Sequence, residues 1–136
     1  MTTKTAFSYS HTIGFLSNRY KGFQNPVDVA MNSQGLLYVI NRVGPELTVR
    51  IPYKRITICT VDEDYLGQFG EGDGEFVWPV AIALDSGENV YVADQWLNRI
   101  SIFSKGGDFL GKWGEAGSGD GELNQPFGMT FDKEDN

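Results

Sequence analysis

From Pro79 onward the chain alternates short apolar runs with turn-forming residues. The runs are Pro-Val-Ala-Ile-Ala-Leu-Asp (79–85), Asn-Val-Tyr-Val-Ala-Asp (89–94), Arg-Ile-Ser-Ile-Phe (99–103) and Asp-Phe-Leu-Gly-Lys-Trp-Gly (108–114), divided by Ser86-Gly87, Asn98 and Lys105-Gly106-Gly107. Runs of five to seven residues rich in Val, Ile, Tyr and Phe are too short for amphipathic helices, and their Gly, Asn and Ser borders favour tight turns. The pattern predicts four short antiparallel strands over 79–113, together one four-stranded blade.

The same pattern occurs earlier. Val27–Met31, Leu36–Ile40, Arg55–Cys59 and Tyr65–Phe69 predict a first blade over 26–69. Asn32 and Asp85 are 53 apart, as are Tyr38 and Tyr91; Arg55/Arg99, Leu66/Leu110 and Gly70/Gly114 are 44 apart; Pro79/Pro126 and Asp85/Asp132 are 47 apart. Repeats of this length with four strands each indicate a β-propeller rather than a helical solenoid. Tyr9–Gly14 aligns with Phe109–Gly114, so 7–15 is expected to be the outer strand of an incomplete blade, and Phe127–Asp132 the inner strand of a further one. With strands lettered A to D from the axis outward, the chain reads D, ABCD, ABCD, A.

Four stretches carry a family resemblance: Pro79-x-x-Ile-Ala-Leu-Asp, Val90-Tyr-Val-Ala-Asp, Asn98-Arg-Ile-Ser-Ile-Phe and Phe109-Leu-Gly-Lys-Trp-Gly. They resemble the NHL repeat, and the resemblance runs from about residue 12 to residue 132. It implies an all-β fold, a β-propeller of four-stranded antiparallel blades, six-bladed in the usual case, with an incomplete ring in this chain. It implies less about activity, because propellers of this kind serve as protein-binding scaffolds, RNA binders and lyases.

Composition narrows the function classes. A net charge of −7 and a pI near 4.5 set a field that opposes a phosphate backbone, so nucleic acid is disfavoured as a partner. The exception to weigh is a basic loop of Arg42, Arg50, Lys54 and Arg55, whose plainer reading is a solvated loop. One Cys (Cys59) and one His (His11) rule out an intrachain disulfide and the usual Cys/His zinc site, and Cys59 is expected to be a buried, inert thiol. Met1–Ser10 lacks the apolar run of a signal peptide, and no apolar stretch of about 18 residues occurs, so no membrane contact and, by default, a cytoplasmic place are expected. A length of 136 residues is short for a closed propeller, which favours a piece of a longer one over a natural short subunit. Exposed blade flanks would then promote self-association.

Strand alternation puts the B-to-C loops and D-to-A connections at one end of the blades. That end holds the residues between Asn41 and Arg55, nine more than between Asp94 and Arg99, together with Gln95-Trp96-Leu97 and the connections Glu71–Trp78 and Glu115–Glu122. Long loops on a rigid frame are where function usually sits. Arg50, Tyr53, Trp78 and Trp96 fall there and are residue types that anchor interfaces; Trp78 has packing between blades as its other reading.

Asp28 stands where the other repeats have Ala81 and Gly128. Near a channel mouth it could bind a cation or polarise a substrate; the plainer reading is a hydrogen bond to nearby backbone. Asn32, Asp85 and Asp132 end the first strands and read as turn closures. The duplicated Gly-Asp-Gly-Glu at 72–75 and 119–122 lacks the alternating oxygens of a calcium loop. No nucleophile elbow, phosphate loop or base–nucleophile pair is visible, so no catalytic residue, metal or cofactor is expected. The leading reading is a scaffold that binds a protein or peptide through its long-loop end. The alternative is part of a lyase or lactonase-like enzyme whose other site residues lie in blades not present.

Overall fold

The structure, a computed structural model, describes residues 8–14, 22–42, 54–70 and 76–136. Eight strands form two four-stranded antiparallel sheets. The first holds β1 (Pro26–Met31), β2 (Leu37–Asn41), β3 (Arg55–Cys59) and β4 (Tyr65–Phe69); the second holds β5 (Pro79–Leu84), β6 (Val90–Asp94), β7 (Arg99–Phe103) and β8 (Phe109–Trp113). Within each sheet the strands lie in sequence order. No helix is present among the described residues, and hence none long and apolar enough to cross a membrane. The all-β blade architecture is as the sequence pattern indicates, with strand ends within one or two residues of the apolar runs.

Each inner strand opens on a proline, where the missing N–H costs least. The register then shifts between Pro26 and Asp28, and likewise between Pro79 and Ala81. The middle strands are almost wholly buried, because each is covered on both faces, whereas β8 is largely exposed.

The main core lies between the two blades. Tyr38, Ile40 and Ile56 from the first meet Ile82, Val90, Val92 and Phe103 from the second, with Phe76 of the connection. Phe103 centres an aromatic cluster, its ring centroid 5.0 Å from Phe69, 5.6 Å from Phe76 and 5.6 Å from Phe109. A glycine turn follows each outer strand, β4 and β8, and recurs after residues 8–13. Gly14, Gly70 and Gly114 have φ of 101°, 85° and 90°, and Phe23, Phe76 and Leu123 press against them so closely that a Cβ would overlap their side chains.

A second fastening joins the blades at their short-turn end. Asn32 accepts from the N–H groups of Gln34 and Leu36, Asp85 from Asn89, and Asp132 from Glu134 and Asn136, closing each A-to-B turn. Between turns, Glu88 accepts the N–H and hydroxyl of Ser33, and Asp135 accepts the N–H and hydroxyl of Ser86. The same position in the first blade is Gly35; all three residues have positive φ, at 80°, 64° and 62°.

Neither 8–14 nor 127–132 forms a strand, since neither has a ladder partner among the described residues. Each still lies against a blade. Ile13 packs with Phe23 on Leu37, Val39 and Cys59. Met129 packs on Ala81, Ala93 and Ile100, and the Phe131 ring meets Tyr91 edge-on at 4.8 Å.

Candidate functional site

Strand registers bring Pro26, Asn41 and Arg55 to one end of the first sheet, and Pro79, Asp94 and Arg99 to the same end of the second. The candidate site is built here on Asp94. Its carboxylate is fully buried and accepts from four backbone N–H groups: Val77 at 2.7 Å, Trp78 at 3.0 Å, Trp96 at 3.1 Å and Leu97 at 3.0 Å. An ionised carboxylate offers only acceptors, so it suits a site where two loop segments turn their donors inward. One side chain thereby fixes both the connection entering the blade and the loop leaving β6.

Its counterpart Asn41 divides its amide. Oδ1 accepts from Gln24 N–H at 2.7 Å, while Nδ2 donates to Val39 O at 3.1 Å and to Thr57 Oγ1 at 2.9 Å. Asn41 thus captures the incoming connection and spends its donor on its own sheet.

Trp96 stands at the tip of the loop Asp94 holds and is 73% exposed. Asn98 adds to the frame: Nδ2 donates to Trp96 O at 3.2 Å, and Oδ1 accepts from Gln125 N–H at 2.7 Å. The loop is thus tied to the next connection, two residues before the exposed Phe127.

Trp78 is half-buried, with the Arg42 guanidinium 4.2 Å above its ring. Such a stack satisfies the indole face from within the chain. Each blade makes the equivalent backbone bond at this end: Trp78 O accepts from Gln95 N–H at 3.0 Å in the second, as Asn25 O does from Arg42 N–H at 3.1 Å in the first. Arg50 and Tyr53 lie outside the described residues.

Asp28 is engaged by backbone. One oxygen accepts from Val29 N–H at 2.9 Å and the other from Ile82 N–H at 2.9 Å, which ties β1 to β5. That geometry is the plainer of the two sequence readings. Among the described residues no group of three or more His, Cys, Asp or Glu is placed to hold a metal ion.

Perturbed ionisation lies away from this end. The Ser33 hydroxyl and N–H hold the Glu88 carboxyl below the usual range, and the N–H groups of Asn136 and Glu134 do the same for Asp132. Burial raises Tyr38, with Glu88 adding to it, while the Tyr38 hydroxyl donates to Lys105 O at 3.1 Å.

Trp96 lies on a loop, as its place in the sequence indicates, and is exposed; Asp94, which ends the second strand of its blade, fastens that loop and also binds the connection that enters the blade. The signal was the recurrence of an Asn or Asp at the end of each second strand. What it could not show is that the connection from the preceding blade supplies half of the donors.

Two adjacent four-stranded antiparallel blades, packed face to face and joined from outer to inner strand, define a β-propeller segment. The hydrazine synthase of Kuenenia stuttgartiensis has the same fold over 94% of this chain and 31% of its own, with a TM-score of 0.60 at 13% sequence identity. No family model matches the sequence. Among curated proteins it is similar to the RING finger protein nhl-1 of Caenorhabditis elegans, 36% identical over 67 residues, which is 49% of this chain and 7% of that protein. It is also similar to the human NHL repeat-containing protein 3, 30% identical over 97 residues, 67% of this chain and 26% of that protein. The chain is a run of NHL-type repeats with the β-propeller fold, its ring not closed.

Proposed function

We propose that this segment is a scaffold that binds a protein or peptide through its long-loop end. The observation that carries the reading is Trp96, exposed to 73% on a loop whose backbone is fixed by Asp94 and Asn98. A large aromatic on an ordered loop loses little entropy on binding and fills a partner's pocket, which is the usual form of an interface anchor. Arg50 and Tyr53, in the long insertion of the first blade, extend the same surface by sequence position, and Trp78 with its Arg42 cover borders it.

Peptides selected from a displayed random library on the 136-residue chain provide the test. Trp96→Ala should weaken the selected peptides by about 2 kcal/mol, roughly thirtyfold. Shortening 43–54 to the length of the 95–98 loop should weaken them as well, with the circular dichroism spectrum unchanged. Asp62→Ala, on an exposed turn at the opposite end, is the control. Peptides that lose affinity with Asp62→Ala and ignore both loop changes would place binding at the wrong end for this reading.

A further inference from the structure

Three segments meet at Asn98. Its Nδ2 donates to Trp96 O at 3.2 Å, its Oδ1 accepts from Gln125 N–H at 2.7 Å, and its carbonyl oxygen lies 3.1 Å from where a Cβ on Gly114 would sit. Asn98 has a φ of 51°, a left-handed turn conformation that Asn tolerates better than most residues. The loop that carries Trp96 is therefore held against both ends of the connection from Gly114 to Gln125. That connection has its own frame: Leu123 N–H donates to Glu115 O at 2.8 Å, Gly117 N–H to Leu123 O at 3.1 Å, and Gly119 N–H to the Glu122 carboxylate at 2.7 Å.

Charge on this frame has one sign. Glu115, Asp120 and Glu122 are exposed, and residues 114–127 contain no Lys or Arg. The described arginines of the same end are turned to the chain's own groups. Arg55 is buried and donates from Nη2 to Gly22 O at 2.9 Å, and Arg99 is half-buried with its Nε enclosed. Arg42 lies 4.2 Å over the Trp78 ring, so that indole receives its guanidinium from within the chain, whereas Trp96 is 73% exposed.

We propose that the peptide taken by this end carries arginine, and that a partner guanidinium stacks on Trp96 as Arg42 stacks on Trp78, with the carboxylates of the adjoining connection to complement its charge. This rests on the scaffold reading above and adds the chemistry of the partner. A cation over an aromatic face is attracted by the ring quadrupole, most strongly at Trp. Arginine brings a planar, weakly hydrated guanidinium that stacks; lysine brings a compact, strongly hydrated charge. Glu115, Asp120 and Glu122, within a chain of net charge −7, add a field that draws a cationic peptide in and repels an anionic one.

The probes are the blocked pentapeptide Gly-Arg-Gly-Arg-Gly and its lysine and glutamate counterparts, titrated into the full chain. The readout is the NMR resonance of the Trp96 indole N–H, assigned by its loss in Trp96→Ala. The arginine peptide should shift it with a Kd on the order of 1 mM at low salt, and the lysine peptide should bind roughly threefold more weakly. The glutamate peptide should leave it unmoved. Glu115→Gln combined with Asp120→Ser should weaken the arginine peptide by about threefold and flatten its salt dependence. Peptides selected from the random library should be enriched in arginine wherever their binding needs Trp96. The inference is overturned, and the scaffold reading left standing, if Trp96-dependent peptides show no such enrichment, if lysine serves as well as arginine, or if the folded double variant binds as before. An arginine peptide that leaves the resonance unmoved overturns the inference as well. Library peptides that all ignore Trp96→Ala overturn both.

Discussion

The blade from Pro26 to Phe69 and the blade from Pro79 to Trp113 have the same strand order, the same two register shifts and the same glycine exit, yet their polar and apolar fillings differ. Asn41 faces Asp94, Thr57 faces Ser101, Cys59 faces Phe103, and Gly35 faces Glu88 in the alignment of the repeats. The lesson is that the repeat fixes backbone conformation at its fasteners, and individual blades then vary what those fasteners hold. In the second blade the buried group at the loop end is a full carboxylate that immobilises two segments; in the first it is an amide that immobilises one.

That contrast is tested most severely at Asp94. Asp94→Ala leaves four backbone donors without their acceptor and should cost on the order of 4 kcal/mol in urea unfolding, against about 2 kcal/mol for Asn41→Ala. Equal costs would mean that the difference in bonding has no energetic weight. Next comes the filling of the blades: Phe103→Cys copies the first blade into the second and should cost about 3 kcal/mol, because the surrounding Phe69, Phe76 and Phe109 cannot collapse fully onto the gap.

The glycine exits give a finer division. At Gly70 a Cβ would lie 2.0 Å from the Phe76 ring, whereas at Gly35 it would meet open space. Both have positive φ, so Gly35→Ala should cost about 1 kcal/mol from backbone conformation alone and Gly70→Ala about 3 kcal/mol, the excess being steric.

The smallest effect concerns acid. The folded-state pKa of Glu88 is lowered, so its contribution is fully present above the ordinary glutamate value near about 4.3 and is lost as the pH falls through the lowered value. Glu88→Gln should therefore lower stability slightly at neutral pH, flatten the stability–pH curve between the ordinary glutamate value and the lowered one, and match the unaltered protein at pH below both. A curve with the same acid slope in both proteins would show that the Ser33 contact adds nothing.

Much of the fold was legible because a repeat tests itself: offsets of 44, 47 and 53 residues recur at turn residues and at apolar ones together. Trp96 was legible too, as a large aromatic between a strand-ending Asp and a turn Asn. The inter-blade bonds were not. Ser33 and Glu88 lie 55 residues apart in polar turns, where no periodicity marks either as a partner. The sequence does show a small residue, Cys59, where the next repeat has Phe103, but how the neighbours Ile13 and Phe23 fill that difference is a property of packing.

The serine–carboxylate contacts at 33/88 and 86/135 have a direction. Each turn grips the hydroxyl of the turn before it and offers its own serine, or its own equivalent, to the turn after. Blades joined this way behave as links coupled only to their neighbours, so a disturbance passes along the series one link at a time and weakens at each step. Gly35 is a blank in that series, because it has the backbone conformation of the gripping residue but no group to grip with. On its preceding side the first blade is therefore joined away from that turn, by Ile13 and Phe23 packed on Leu37, Val39 and Cys59 and by bonds from Gly14 N–H to Glu63 and from His11 to the Val61 carbonyl, so the polar part of that joint has moved to the outer edge of the blade.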